Sequence, residues 1–405
     1  MLNVLKNRTY RHLFAAQLVA IMGTGLATIA LALLAYELAG DQAGLVLGTA
    51  LTIKMISYVT IAPIASALAE GRPRRAWLIS LDLIRAAVAL ALPFVDQIWQ
   101  IYVLIFLLQA SSAGFTPAFQ ATIPDVLSDE DDYTNALSLS RLAYDLESLL
   151  SPALAAALLT VMTFSTLFFG TALGFIASAL LVLSISLPSP KPTKRRNIFD
   201  RTTRGIKLYL QTPRLRGLLG LSLCAASVSA MVLVNTVVMV RGELGLGEDT
   251  LAWVLASFGA GSMLAAVTLP KVLKRHSDRY VMFLGALMAI AAQALLALYI
   301  SLAGLSLQSL MIAWFVTGAG YSTIQTPSGR LLRRSVMAAD RPAIFAAQFT
   351  LSHGCWLLTY PIAGWLMTFY GTATALWGLI GLSMIGVAFA KLQWPKQSRA
   401  GQSLS

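Results

Sequence analysis

Six charged residues lie inside otherwise apolar stretches: Lys54, Asp82, Arg85, Arg141, Asp145 and Glu147. At bilayer depth an ionisable side chain costs about 2.5–3.5 kcal/mol or more, so each one marks a function or a partner. Asp82 and Arg85 are three residues apart, and Arg141 and Asp145 are four apart. Those spacings put both members of each pair on one helical face, so both read first as ion pairs with gating or structural roles. Glu147 is different. It is two residues past Asp145, about 200° further round the helix, and cannot easily share Arg141. A carboxylate without a fixed cation in a low-dielectric site can take up and release protons near neutral pH. The alternative for Glu147 is a bridge to Arg85 or Lys54 on another helix. Lys54 sits mid-helix, where its ammonium can act as a mobile countercharge for Asp145 or Glu147, or form a permanent bridge. Glu147, Asp145 and Lys54 are the expected proton-coupling set.

His353 and Cys355 lie near one another in a later apolar stretch. Imidazole and thiolate suit nickel, zinc or copper(I). Residues two apart on a helix point nearly opposite ways, however, so one helix cannot offer both to a single ion without unwinding. A hydrogen-bonded histidine and a small apolar cysteine are the plainer expectation, with a proton relay through His353 as a third. No metal or other cofactor is expected. The chain has no phosphate-cradling Gly-x-x-x-x-Gly-Lys-Ser/Thr loop and no His-Glu-x-x-His run, which argues against an ATP motor and against an embedded enzyme. Its two cysteines, Cys224 and Cys355, make no disulfide framework.

The elements that hold these residues follow from hydropathy. Of 405 residues 57% are hydrophobic and 12% charged. The mean hydropathy is +0.72. A soluble domain averages about 25% charged residues. Crossing a bilayer takes about 20 apolar residues, and twelve such spans fit. They fall near 12–38, 44–69, 76–95, 99–124, 136–160, 166–187, 215–240, 250–270, 279–301, 306–327, 342–367 and 372–392. The first is too long for a signal-peptide core and is expected to be retained. All but four of the 30 Lys and Arg residues (Lys54, Arg85, Arg141 and Arg241) fall at the two ends or in every second loop. That asymmetry predicts a multi-pass protein with both termini cytoplasmic. The net charge of +12 therefore meets lipid headgroups rather than nucleic acid.

The loop after span six opens with Pro188, Pro190 and Pro192 and turns basic at Lys194, Arg195 and Arg196. It divides the chain into a first six-helix bundle (1–187), a basic linker loop (188–214) and a second six-helix bundle with a short tail (215–405). The halves are weakly self-similar. Ala113-Gly114-Phe115 precedes Ser151-Pro152-Ala153, as Ala319-Gly320-Tyr321 precedes Tyr360-Pro361-Ile362. Six plus six helices with repeated halves is a secondary-transporter architecture.

Ala65-Ser66-Ala67-Leu68-Ala69-Glu70-Gly71-Arg72-Pro73-Arg74-Arg75 resembles the helix 2–3 loop signature of the major facilitator superfamily, with Ser66 for the usual Gly and Glu70 for the usual Asp. Asn7-Arg8-Thr9-Tyr10-Arg11-His12-Leu13-Phe14, Tyr36-Glu37-Leu38-Ala39-Gly40 and Leu81-Asp82-Leu83-Ile84-Arg85-Ala86 resemble its efflux branch of macrolide, siderophore and nickel exporters. The resemblance implies an all-α membrane fold of twelve helices in two pseudo-symmetric bundles. It implies gate or structural roles for Glu70, Arg72, Arg74 and Arg75 beside Asp82, Arg85 and Arg141. It also implies a central cavity on spans one, four and seven, with Gln17, Gln109 and Asn235 joined by Trp356 and Tyr360. The Arg that drug antiporters carry in span four is absent from Leu107-Leu108-Gln109-Ala110-Ser111.

The expectation is a bacterial inner-membrane secondary transporter, a monomer in the lipid bilayer. It would export a small amphipathic organic molecule against protons by alternating access. Divalent-metal export and a non-transporting receptor or scaffold are the alternatives.

Overall fold

No water reaches the hydrocarbon core to satisfy backbone groups, so long apolar runs must close their hydrogen bonds internally. The computed structural model describes residues 2–39, 43–70, 72–188 and 198–394, and throughout these residues the regular elements are helical. The first bundle comprises α1 (Arg8–Ala39), α2 (Ala43–Ala69), α3 (Arg74–Ala91), α4 (Ile98–Val126), α5 (Glu130–Leu159) and α6 (Phe164–Leu183). After α7 (Ile198–Gln211) the second contains α8 (Pro213–Val237), α9 (Glu248–Arg275), α10 (Asp278–Ala303), α11 (Leu307–Gln325), α12 (Ser328–Ser335) and α13 (Arg341–Gln393). Nine stretches among the described residues are long and apolar enough to cross a membrane. One of them, Ala338–Gln393, covers 56 residues.

That stretch holds two spans. A straight α13 of 53 residues would run about 80 Å, far beyond a ~30 Å hydrocarbon core. Gly371 breaks it with φ 78°, a left-handed conformation that glycine adopts at no steric cost. The break falls between the last two spans expected from hydropathy.

Two helices were not expected. Of the anticipated linker loop 188–214, residues 189–197 lie outside the described residues, but Ile198–Gln211 is the helix α7. Its Ile206 and Tyr209, three apart, pack into the core cluster of the second bundle with Leu215, Leu218 and Phe345. It is too short and too polar to register as a span. α12 likewise lies within the expected loop 329–341, with Leu331 and Leu332 inward and Arg333 and Arg334 in its last turn.

Local chemistry explains the ends. Asp129 caps α5, its Oδ1 accepting the Asp132 backbone N–H at 2.9 Å. Glu130, Asp131 and Asp132 follow in the first turn, where the helix dipole favours acids. Lys274 and Arg275 close α9, at the end that favours cations. The start of α5 and the end of α9 lie on the same side of the molecule, called here the basic face. The bundles meet along α2 against α13 and α5 against α9.

Candidate functional site

The embedded charges separate into three environments. Asp82 is fully buried and pairs with Arg85. Ser178 of α6 donates to Asp82 Oδ2 at 2.8 Å. The Arg85 guanidinium lies 4.1 Å from the Phe115 ring centre and 4.5 Å from that of Phe175. The pair thus ties α3 to α4 and α6 inside the first bundle.

Arg141 and Asp145 also pair, as their spacing predicted. The surprise is their reach. Ser262 of α9 donates to Asp145 Oδ2 at 2.6 Å, and Arg141 Nε lies 3.1 Å from the same hydroxyl. Arg141 also sits 4.8 Å from the Tyr321 ring centre on α11. This is a clasp between bundles, midway along α5 and α9. Asp145, expected as a coupling carboxylate, is buried within it.

Glu147 forms no ion pair among the described residues. Its one hydrogen bond among the described residues comes from Ser151 Oγ, at 3.0 Å. A Cβ added at Gly25 of α1 would collide with Glu147 Oε1 and Ser151 Oγ, so the bare glycine is what lets the carboxylate rest against α1. Lys54 forms no ion pair among the described residues; its ammonium lies 5.7 Å from the Tyr58 ring centre. Lys54 and Glu147 are nonetheless within electrostatic reach of one another. Gly25→Ala is expected to displace Glu147 at an overpacking cost of about 1–3 kcal/mol. Fluorescence-detected unfolding should find a folded protein, and a proton-flux assay should find coupling impaired.

A cavity of about 290 Å³ lies between the bundles. Gln17, Thr24, Tyr58, Arg85, Arg141 and Glu147 line its first-bundle wall, and Gln325 and Gln348 face them from the second. Of the five cavity residues expected from sequence, Gln17 alone is on this wall, accepting from Ser140 Oγ at 3.0 Å. Asn235 is buried and donates to the Ala363 carbonyl at 3.1 Å, as a buried amide must. Trp356 donates from Nε1 to Ser229 Oγ at 2.9 Å. Tyr360 packs on the core cluster around Met231 and Trp314. Gln109 is partly buried away from the wall. Tyr58 and Tyr144 were missed as lining residues, because an aromatic in an apolar run carries no sign of facing water.

His353 Nδ1 lies 2.7 Å from the Phe349 carbonyl, within an aromatic cluster of Tyr58, Phe349 and Trp356. Cys355 is a partly buried free thiol. The described residues hold no group of three or more His, Cys, Asp and Glu side chains suited to a metal ion.

On the basic face a charge network closes the bundles on each other. Glu130 of α5 lies 2.5 Å from Arg334 Nε and 3.6 Å from Arg330 Nε, both on α12. Asp278 of α10 lies 3.3 Å from Arg330 Nε and 2.9 Å from Arg334 Nη1. Asp131 takes Lys274, and Asp125 takes both Arg74 and Arg341. Of the signature-loop residues, Arg74 therefore joins the network. Arg75 donates to the Leu183 carbonyl, Arg72 lies 5.5 Å from the Trp77 ring centre, and Glu70 follows the end of α2. Asp278 and Arg330 are each 5% exposed, so this is not an ordinary surface pair. Arg330→Ala strands the buried Asp278 carboxylate beside Arg334 alone. The expected result is a loosened basic face, read as faster labelling of a cysteine placed at Leu137 on the cavity wall.

Two helical bundles, a cavity between them lined by both apolar and polar side chains, and charges held within apolar helices define a multi-pass carrier. The Major Facilitator Superfamily model matches residues 13–247 and 218–404, and the chain belongs to that family, whose members are transporters and not enzymes. It is 25% identical over 350 residues to the uncharacterized MFS-type transporter YfiS of Bacillus subtilis, spanning 83% of this chain and 81% of that one. Macrolide efflux protein A of Streptococcus pyogenes is 24% identical over 181 residues, 44% of each chain. The crystal structure of the human organic anion transporter MFSD10 (TETRAN) superposes with a TM-score of 0.81 at 12% identity, covering 95% of this chain and 99% of that one.

Proposed function

We propose that this transporter exports a small amphipathic organic molecule in exchange for protons, acting as a monomer in a bacterial inner membrane. The observation that carries the reading is Glu147, a carboxylate on the cavity wall with one hydroxyl as its hydrogen-bond partner and a lysine within electrostatic reach. Asp145, on the same helix, is engaged by Arg141 and Ser262. One acid thus holds the bundles together while the other is free to exchange a proton.

The positive-inside asymmetry makes the basic face cytoplasmic. With the Glu130–Arg334 and Asp125–Arg341 ties formed, the two bundles are held together at their cytoplasmic ends. Alternating access then requires those ties and the Asp145–Ser262 clasp to break as the bundles rock. Efflux rests on the likeness to macrolide efflux protein A. An amphipathic cargo suits a wall that mixes amides, hydroxyls and aromatic rings. Lys54 serves as the countercharge when Glu147 is ionised.

A growth screen of a deletion strain and its complemented parent tests this reading. Lipophilic drugs are set against nickel, cobalt, zinc and copper salts. Sensitivity to organic compounds alone, reversed by the wild-type gene, is the expected result. Sensitivity to metals alone would replace the reading with metal export and move attention to His353 and Cys355.

A further inference from the structure

Arg85 meets the cavity with a hydrogen bond still to make. It lines the wall, is 5% exposed and donates from Nη2 to Asp82, which does not line the cavity. Its Nε is buried and has no hydrogen-bond partner among the described residues. A buried charged donor left unpaired is costly, and such groups are the exception in folded proteins. An acceptor brought in by the cargo would complete it. Tyr58 and Tyr144 line the same wall within electrostatic reach of Arg85, and their hydroxyls are further donors for that acceptor. Phe115 lies on the wall too, its ring centre 4.1 Å from the guanidinium, so apolar surface adjoins the donors.

The embedded charges decide what kind of acceptor fits. Lys54, Arg85 and Arg141 are matched by Asp82, Asp145 and Glu147, three cations against three acids. Asp82 already neutralises Arg85, and a cargo carboxylate would set a second anion on the same guanidinium. Exchange against protons requires Glu147 to be ionised on the leg of the cycle that carries cargo. A charged cargo of either sign would then upset the balance in a medium where uncompensated charge is costly. An uncharged carbonyl oxygen accepts from Nε and leaves the sum at zero. We infer that the cargo is an uncharged amphipathic molecule presenting a carbonyl oxygen, as an amide or ester does, which Arg85 binds through Nε with Tyr58 and Tyr144 beside it. The inference rests on the reading of this cavity as the site of proton-coupled export, and it names the polar head of the cargo.

Ligand-observed NMR titration of the full chain in detergent at pH 7 tests it with three probes on one skeleton: 4-phenylbutanamide, 4-phenylbutanoate and 4-phenylbutylammonium. Wild type is expected to bind the amide about tenfold more tightly than either ion. Asp82→Ala combined with Arg85→Met removes both members of the pair, strands no buried charge and should erase that preference. Tyr144→Phe keeps the ring and loses one donor. It should narrow the preference about threefold, and it reads the site even if the double variant folds poorly. Equal weakening of all three probes in these variants would mark a structural defect and overturn the role of Arg85. Tighter binding of the phenylbutanoate, equal binding of all three by wild type, or a preference unchanged in both variants would overturn the inference. Binding needs no proton gradient. Such a result beside a deletion strain sensitised to organic compounds removes the inference and leaves the export reading, whereas an insensitive deletion strain removes the export reading itself.

Discussion

Glu147→Gln is expected to abolish uphill transport while leaving downhill exchange and substrate binding intact. Glutamine keeps the shape of the side chain and an oxygen to accept from Ser151, which donates to Glu147 at 3.0 Å. It loses only the proton. With one proton exchanged per molecule, each pH unit imposed across the membrane can support up to about a tenfold concentration ratio. In proteoliposomes the wild type should approach that ratio and Glu147→Gln should fall to no accumulation. Lys54→Met should leave a folded protein whose transport responds to pH differently, because the countercharge for the ionised state is gone. Proton-dependent transport that survives neutralising Glu147, Asp145 and Lys54 together would remove the coupling mechanism.

The largest effect on stability is expected at Asp82. Its carboxylate is fully buried, and among the described residues it is the one ion-pair partner of Arg85, itself 5% exposed between Phe115 and Phe175. Asp82→Ala leaves a guanidinium among aromatic rings and hydrocarbon. Removing one partner of a buried pair costs about 3–5 kcal/mol. Removing both is often near neutral when the replacement packs well, so Asp82→Ala combined with Arg85→Met should recover most of the loss. Thermal unfolding in detergent reads both variants. Equal destabilisation in the single and double variants would show that Arg85 matters through its contacts with the rings rather than through its charge. Because Arg85 also lines the cavity, transport by a stable double variant separates a structural role from a substrate role.

What the sequence made legible follows the physics of the bilayer. Long apolar runs must be helices, so the last two spans could be separated in advance, although the glycine that breaks α13 between them was not singled out. Spacing alone identified Asp82–Arg85 and Arg141–Asp145 as pairs, since three- and four-residue separations have one geometric meaning on a helix. Contacts between distant segments carry no such local signal. Nothing around Ser262 marks it as the partner of Asp145, and the acidic start of α5 and the basic α12 are separated by 200 residues of chain. The amides misled for a related reason. Gln17 and Asn235 look alike in an apolar run, yet one faces a cavity and the other satisfies a carbonyl of α13. α7 was missed because a short amphipathic helix lacks the length that hydropathy detects.

The central claim is that a proton on Glu147 decides which arrangement of the bundles is favoured. A tenfold difference in proton affinity between the arrangements is about 1.4 kcal/mol and moves their populations tenfold across the titration. Spin labels at Val161 and Leu302, both 79% exposed at the ends of the two bundles opposite the basic face, report that equilibrium without any substrate. Their separation should be measured across pH by double electron–electron resonance, with Cys224 and Cys355 replaced by serine. The account predicts that acid shifts the wild type toward short separations as the basic face opens, and that Glu147→Gln shows the acid distribution at every pH. A wild-type distribution that ignores pH, or a Glu147→Gln variant that titrates as the wild type does, would contradict it.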